Sequence, residues 1–127
     1  MYRIAIMSDR NMAEVTMAGL LPVSEIDACI AEFRAAFLAG RMHAGYRLLL
    51  DVSECQVQTQ EFMRAMGGHI ARMPKAAAIA VVAKSMLSRM QVRRLYTQPY
   101  ARVVATRGDG RAWLIDAKEP PADRPAT

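Results

Sequence analysis

The sequence predicts an α/β protein built on a single mixed sheet, an N-terminal antiparallel hairpin followed by parallel strands, with helices packed on it. Two runs carry that prediction. Leu48, Leu49, Leu50 and Val52 show almost no alternation, and Ala76 to Ala83 contains no polar residue. Strands of this kind are covered on both faces and lie toward the middle of a sheet. Stretches of helical period separate them, and strands separated by helices pair in parallel through right-handed crossovers.

The elements follow in order. Tyr2 to Met7 and Met12 to Gly19 alternate on either side of Ser8-Asp9-Arg10-Asn11, a hairpin with Glu14 and Thr16 on one side and Ala13, Val15 and Met17 on the other. Pro22 suits the first turn of a helix that Ser24 is expected to cap; Ile26, Ile30, Phe33 and Phe37 form its apolar stripe, and Gly40 ends it. The central strand closes on Asp51 and Ser53, where the chain leaves the hydrophobic layer. Thr59 then caps a helix with Phe62, Met66, Ile70 and Met73 on its inner face, stopped by Pro74. Gly67-Gly68 inside that helix predicts a close backbone approach or a local irregularity. After the strand Ala76 to Ala83, Lys84 to Gln98 is expected to be helical, with Leu87, Met90 and Leu95 inward and Val92 and Tyr96 pointing away. Arg102 to Thr106 is a last strand, and Asp109 is expected to cap a short helix bearing Ala112, Trp113 and Leu114. The domain is expected to span residues 1–116, and the proline-rich stretch 117–127 to be a disordered tail.

At 127 residues such a domain buries about two thirds of its unfolded surface and requires neither metal nor disulfide. Two cysteines make no disulfide framework, and no charged-then-apolar leader opens the chain, so a reduced, cytoplasmic setting is expected. No apolar run reaches the length of about 18 residues that spans a bilayer. The net charge of +5 is uneven: Lys84 to Arg111 holds seven basic residues and one acidic, against ten basic and eleven acidic elsewhere. If Lys84, Arg89, Arg93, Arg94, Arg102, Arg107 and Arg111 share one face, that face attracts anions, with Arg89, Arg93 and Arg94 as its anion-binding centre. No nucleic-acid reading motif accompanies them, so sequence-specific nucleic-acid binding is not expected.

The strand ending in Asp51-Val52-Ser53 before a loop and helix, the strand closing on Met17-Ala18-Gly19, and Ala112-Trp113-Leu114 after a late strand together resemble the SpoIIAA-like or STAS-like group. The nearer likeness is to its bacterial branch related to the CRAL-TRIO fold, over about residues 2 to 116. The resemblance implies a regulatory protein-binding domain. In the antagonists of that group a serine in an Asp-Ser-Ser-Gly-like turn is phosphorylated. Here the turn falls on Thr59-Gln60-Glu61-Phe62, without serine or glycine, and Thr59 is the hydroxyl nearest to it.

Catalytic constellations are scarce. His43, His69, Cys29 and Cys55 lack the paired spacing of metal ligands. A Ser53, His69 and Asp51 triad requires a proximity that nothing in the sequence supplies, and Gly108-Asp109-Gly110 reads as a turn rather than a nucleotide loop. Asp51 is expected to bind neighbouring amides. These residues predict no enzyme and no cofactor. They predict an interaction module that binds a protein partner, or a second copy of itself as a homodimer, around Asp51, Ser53 and Thr59. The alternative is a carrier of a small apolar, lipid or anionic ligand, with a methionine- and aromatic-lined pocket beneath Lys84 to Gln98 and that segment as a lid.

Overall fold

The alternating N-terminal residues form an antiparallel hairpin in the computed structural model, which describes residues 1–116; the tail expected over 117–127 lies outside the described residues. β1 (Tyr2–Met7) pairs β2 (Met12–Gly19) with Ile4 opposite Val15, and Asn11 turns the chain at a φ of 49°, a left-handed conformation that asparagine tolerates. Helix α1 (Val23–Ala39) buries Ile26, Cys29, Ile30, Phe33 and Phe37. Its start differs from expectation. Pro22 occupies the cap position and neither it nor Ser24 supplies a side-chain cap.

β3 (Tyr46–Cys55) is longer than the hydrophobic run. It does not end at Asp51 but continues beside β2, past a register shift, to pair Cys55 with Gly19. α2 (Gln60–Ala71) follows, with the Thr59 hydroxyl accepting from the Phe62 amide at 3.1 Å as a cap. β4 (Ala76–Val82) runs parallel to β3 with Leu48, Leu49 and Leu50 opposite Ile79, Ala80 and Val81. After α3 (Met86–Leu95), β5 (Ala101–Val104) adds in parallel to β4, and α4 (Arg107–Asp116) closes the fold. The five strands lie in the order β1-β2-β3-β4-β5, with β3 at the centre.

This order decides where the helices go. Each parallel strand is added on the same side of the one before it, so right-handed crossovers place α1, α2 and α3 on one face of the sheet. There Val15, Met17, Leu48, Leu50, Ile79 and Val81 meet Phe33, Phe62, Met66 and Val92 in the larger core. On the other face, Met12, Leu49, Ala80, Val82 and Val104 meet Trp113 and Leu114 of α4 in a second core.

Three helical details depart from the sequence expectation. α3 is turned about its axis: Ser88 and Val92 are buried and Leu95 and Tyr96 pack on the core, while Leu87 and Met90 are 59% and 45% exposed. Thr106, not Asp109, caps α4, its hydroxyl accepting from the Asp109 amide at 3.0 Å, so Gly108-Asp109-Gly110 is the first part of a helix and not a turn. Gly67-Gly68 sits in an unbroken α2, and a side chain at either position would meet nothing closer than 3.8 Å. Neither the close approach nor the irregularity expected there is present.

Gly110 is the glycine that a close approach does require. A Cβ there would lie 2.6 Å from Leu49 Cδ1 and 3.2 Å from Ala80 Cβ, so the missing side chain is what lets α4 settle against β3 and β4. The two settings predict opposite outcomes. Gly67→Ala should raise stability by about 0.5–1 kcal/mol through helix propensity, and Gly110→Ala should lower it by about 1–3 kcal/mol through overpacking. Urea unfolding of the two variants checks both signs.

Candidate functional site

Period-two alternation puts Glu14 and Thr16 of β2, and Asp51 and Ser53 of β3, on the face of the sheet that α4 covers. α4 begins above them, and Arg107 and Arg111, four residues apart, project from one side of it. The Arg107 guanidinium donates from Nη1 to Asp51 Oδ2 at 2.8 Å and to Thr16 Oγ1 at 3.1 Å, and from Nη2 to Glu14 Oε1 at 2.8 Å. Arg111 grips both Glu14 oxygens, from Nε and Nη2, each at 2.8 Å. The remaining Asp51 oxygen, Oδ1, accepts from the Ser53 amide at 2.9 Å and from its hydroxyl at 2.6 Å.

Both carboxylates are held in the charged form. For Asp51, burial pushes the pKa up more than any other single influence, but the Ser53 hydroxyl and amide together with Arg107 outweigh it, and the carboxyl lies below its ordinary value. For Glu14 the Arg111 hydrogen bonds come first, opposed by burial, and its pKa is also lowered. A carboxylate with both oxygens engaged and a depressed pKa is a poor general base. The arrangement acts as a clamp that fastens α4 to β2 and β3.

The residues expected to form one binding face are therefore divided. Asp51 and Ser53 are brought together, but Asp51 is 6% exposed and engaged within the fold. Thr59 lies past the end of β3 at the start of α2, on the opposite face of the sheet. His69 is on that opposite face too, its Nε2 2.8 Å from Asp27 Oδ1, so it cannot serve Ser53 and Asp51 as a triad. Among the described residues no group of three or more His, Cys, Asp or Glu is placed to hold a metal.

The basic third quarter is divided as well, and the single positive face expected from Lys84 to Arg111 does not exist. Arg89, Arg93 and Arg94 belong to α3 on one side of the sheet, while Arg107 and Arg111 form the clamp on the other. Arg102 stacks over Trp113 at 5.5 Å. The clamp was not anticipated from sequence, although its signals are present: an acidic residue inside the apolar strand Met12-Ala13-Glu14-Val15, and two arginines one helical turn apart.

A second assembly gathers at the carboxyl ends of the strands, where ligands and partners commonly dock on α/β sheets. Gln58 joins three segments there. Its side chain accepts from the Leu21 amide and donates to the Gly19 carbonyl, both at 2.9 Å, and its backbone N–H and C=O pair with the Gln91 carboxamide of α3, again at 2.9 Å. Around this node Leu20, Val57, Leu87 and Met86 stand 52%, 46%, 59% and 77% exposed. One small apolar cavity of about 50 Å³ lies beneath α3, and a second of about 40 Å³ lies between α1, α2 and the sheet; they share Met17, Leu50, Met66 and Tyr96 as walls.

The clamp makes the fold acid-sensitive. Lowered carboxylate pKa values stabilise the folded state above the unfolded-state values of about 4.5 for Glu14 and 3.8 for Asp51, and that stabilisation is lost as pH falls toward the folded-state values. Glu14→Gln should cost about 2 kcal/mol at pH 7 and make stability less steep in pH below that range; urea unfolding across pH 3 to 7 (a span of about four units) checks both. Thr59→Ala should cost about 1 kcal/mol as a lost cap and leave partner binding unchanged. Loss of binding at unchanged stability would contradict its structural role.

No protein-family model and no curated protein matches this chain.

Proposed function

We propose that this protein is a non-catalytic interaction module of the SpoIIAA-like type that binds an acidic protein partner through the outward face of α3 and the adjoining loops. The observation that carries the reading is the orientation of α3, which presents Met86, Leu87 and Met90 to solvent, 77%, 59% and 45% exposed, beside Arg93 and Arg94. Exposed apolar side chains on one helix face, set among cations, suit a partner with an apolar patch rimmed by carboxylates. From Lys84 to Gln98 there are four basic residues and no acidic one. Like charges then oppose self-association through this face, which favours a different partner over a homodimer.

The clamp supports a non-catalytic reading, because the carboxylate expected to mark the site, Asp51, is engaged within the fold. It also moves the proposed partner surface from Asp51, Ser53 and Thr59 to α3. The carrier alternative is less well supported by the two small apolar cavities on the α1–α3 side of the sheet. At about 50 and 40 Å³ they fall well below the roughly 150 Å³ that accommodates benzene, and lifting α3 would break the paired Gln58 and Gln91 hydrogen bonds.

A helical peptide with a leucine stripe flanked by glutamates is a suitable probe. Titrated into the parent protein, it should bind saturably and more weakly at higher salt. Leu87→Ser with Met90→Ser should lower affinity about tenfold, and Arg93→Gln with Arg94→Gln should remove most of the salt dependence. Equal binding by parent and variants would overturn the reading. So would binding confined to anionic vesicles, or a dimer that dissociates on Leu87→Glu.

A further inference from the structure

At the end of the sheet opposite Gln58, the starts of β3 and β4 and the loop leading into β5 border a partly open cavity of about 220 Å³. Its composition differs from that of the two smaller apolar cavities. Tyr46, Tyr96 and Tyr100 line it, with Ile70 and Met73 of the α2 end, the Gln98 side chain, and Lys75. Tyr100 is close enough to the other two phenols to influence their ionisation. Burial, with a contribution from Tyr100, pushes Tyr46 up to about 12, and burial, with contributions that include Tyr46 and Tyr100, raises Tyr96. Tyr46 and Tyr96 are thus neutral at any physiological pH. The Tyr46 hydroxyl donates to the Pro74 carbonyl at 3.1 Å.

Gln98 is the unusual member. Its Oε1 is buried and accepts no hydrogen bond among the described residues. A buried polar atom without a partner is costly, and native structures keep few of them without a water, ion or ligand to satisfy it. The volume is sufficient for one: a cavity of roughly 150 Å³ holds benzene, so one of about 220 Å³ has room for a substituted ring. Aromatic and thioether walls suit a planar ring. Lys75 Nζ stands 6.0 Å from the centre of the Tyr100 ring, which brings a cation to the same cavity and disfavours a cationic ligand.

We propose that this cavity is a binding site for a small one-ring aromatic molecule bearing an O–H or N–H group, whose donor satisfies Gln98 Oε1 while the ring lies among the three tyrosines. The site is separate from the α3 face and does not depend on what binds there.

Phenol and toluene are matched probes, nearly equal in size and differing in the donor. Each is titrated into the full chain and followed by amide and methyl NMR. Phenol should give saturable shifts centred on Ile70, Met73, Lys75 and the Tyr96 to Tyr100 loop, and should bind about tenfold more tightly than toluene after correction for their water solubilities. Gln98→Leu keeps the bulk of the side chain and removes the acceptor, so the preference for phenol should disappear while toluene still binds. Absence of saturable shifts with phenol up to its solubility limit would overturn the proposal. Shifts centred on other residues, or a phenol preference unchanged in Gln98→Leu, would do the same. Because the comparison in the parent protein stands alone, a variant that failed to fold would leave the test intact.

Discussion

The two faces of the central strands are the constraint on which the rest of the structure depends. β3 and β4 are apolar on both sides, so water must be excluded from both, yet the strand order sends every crossover helix to the same side. α4 is left to cover the second face of β3, β4 and β5. A single ten-residue helix with two glycines near its start is a weak element by propensity. It is held by what it touches: Trp113 and Leu114 in the second core, Gly110 against Leu49, and the two arginines on Glu14 and Asp51. The Arg47 guanidinium adds a hydrogen bond to the Leu114 carbonyl at 2.6 Å near the far end.

That view changes the meaning of the charged residues. A carboxylate in the carboxyl half of a central strand has the position of a ligand-binding group in an α/β fold, and here α4 takes the ligand's place. Among the described residues, what the fold leaves unpaired lies elsewhere and includes apolar side chains on the outside of α3 and a carboxamide oxygen beside a tyrosine-lined cavity.

Much of the architecture was legible in the sequence because it rests on period and punctuation. The two uninterrupted apolar runs identified the central strands, and the alternation of β1 and β2 identified the hairpin. Stripes such as Ile26, Ile30, Phe33 and Phe37 could be assigned because helix period and burial agree there. α3 was misread because they do not: Leu87 and Met90 are more hydrophobic than Ser88 and Gln91, but the neighbours of the helix bury Ser88 and hydrogen-bond Gln91 to Gln58. Tertiary contact overrode the local pattern. The candidate site was the least legible part, since Glu14 and Arg107 stand 93 residues apart and no local signal joins them. Gly67-Gly68 suggested a packing reason that the structure does not contain, whereas Gly110, read as part of a turn, has one.

The strand order also has a consequence for the order in which the chain can fold during synthesis. Each strand after the first pairs with the one made just before it, so the sheet can grow as the chain emerges, with α1, α2 and α3 docking in turn on one side. The opposite side has no such schedule. Leu49, Ala80, Val82 and Val104 stay uncovered until residues 107–116 arrive, although the sheet they belong to is already assembled. A nascent or truncated chain lacking α4 would thus be a formed sheet with one bare apolar side, the kind of surface that chaperones recognise and that associates with its own copies. By covering that side, α4 turns a folded but adhesive sheet into a finished domain.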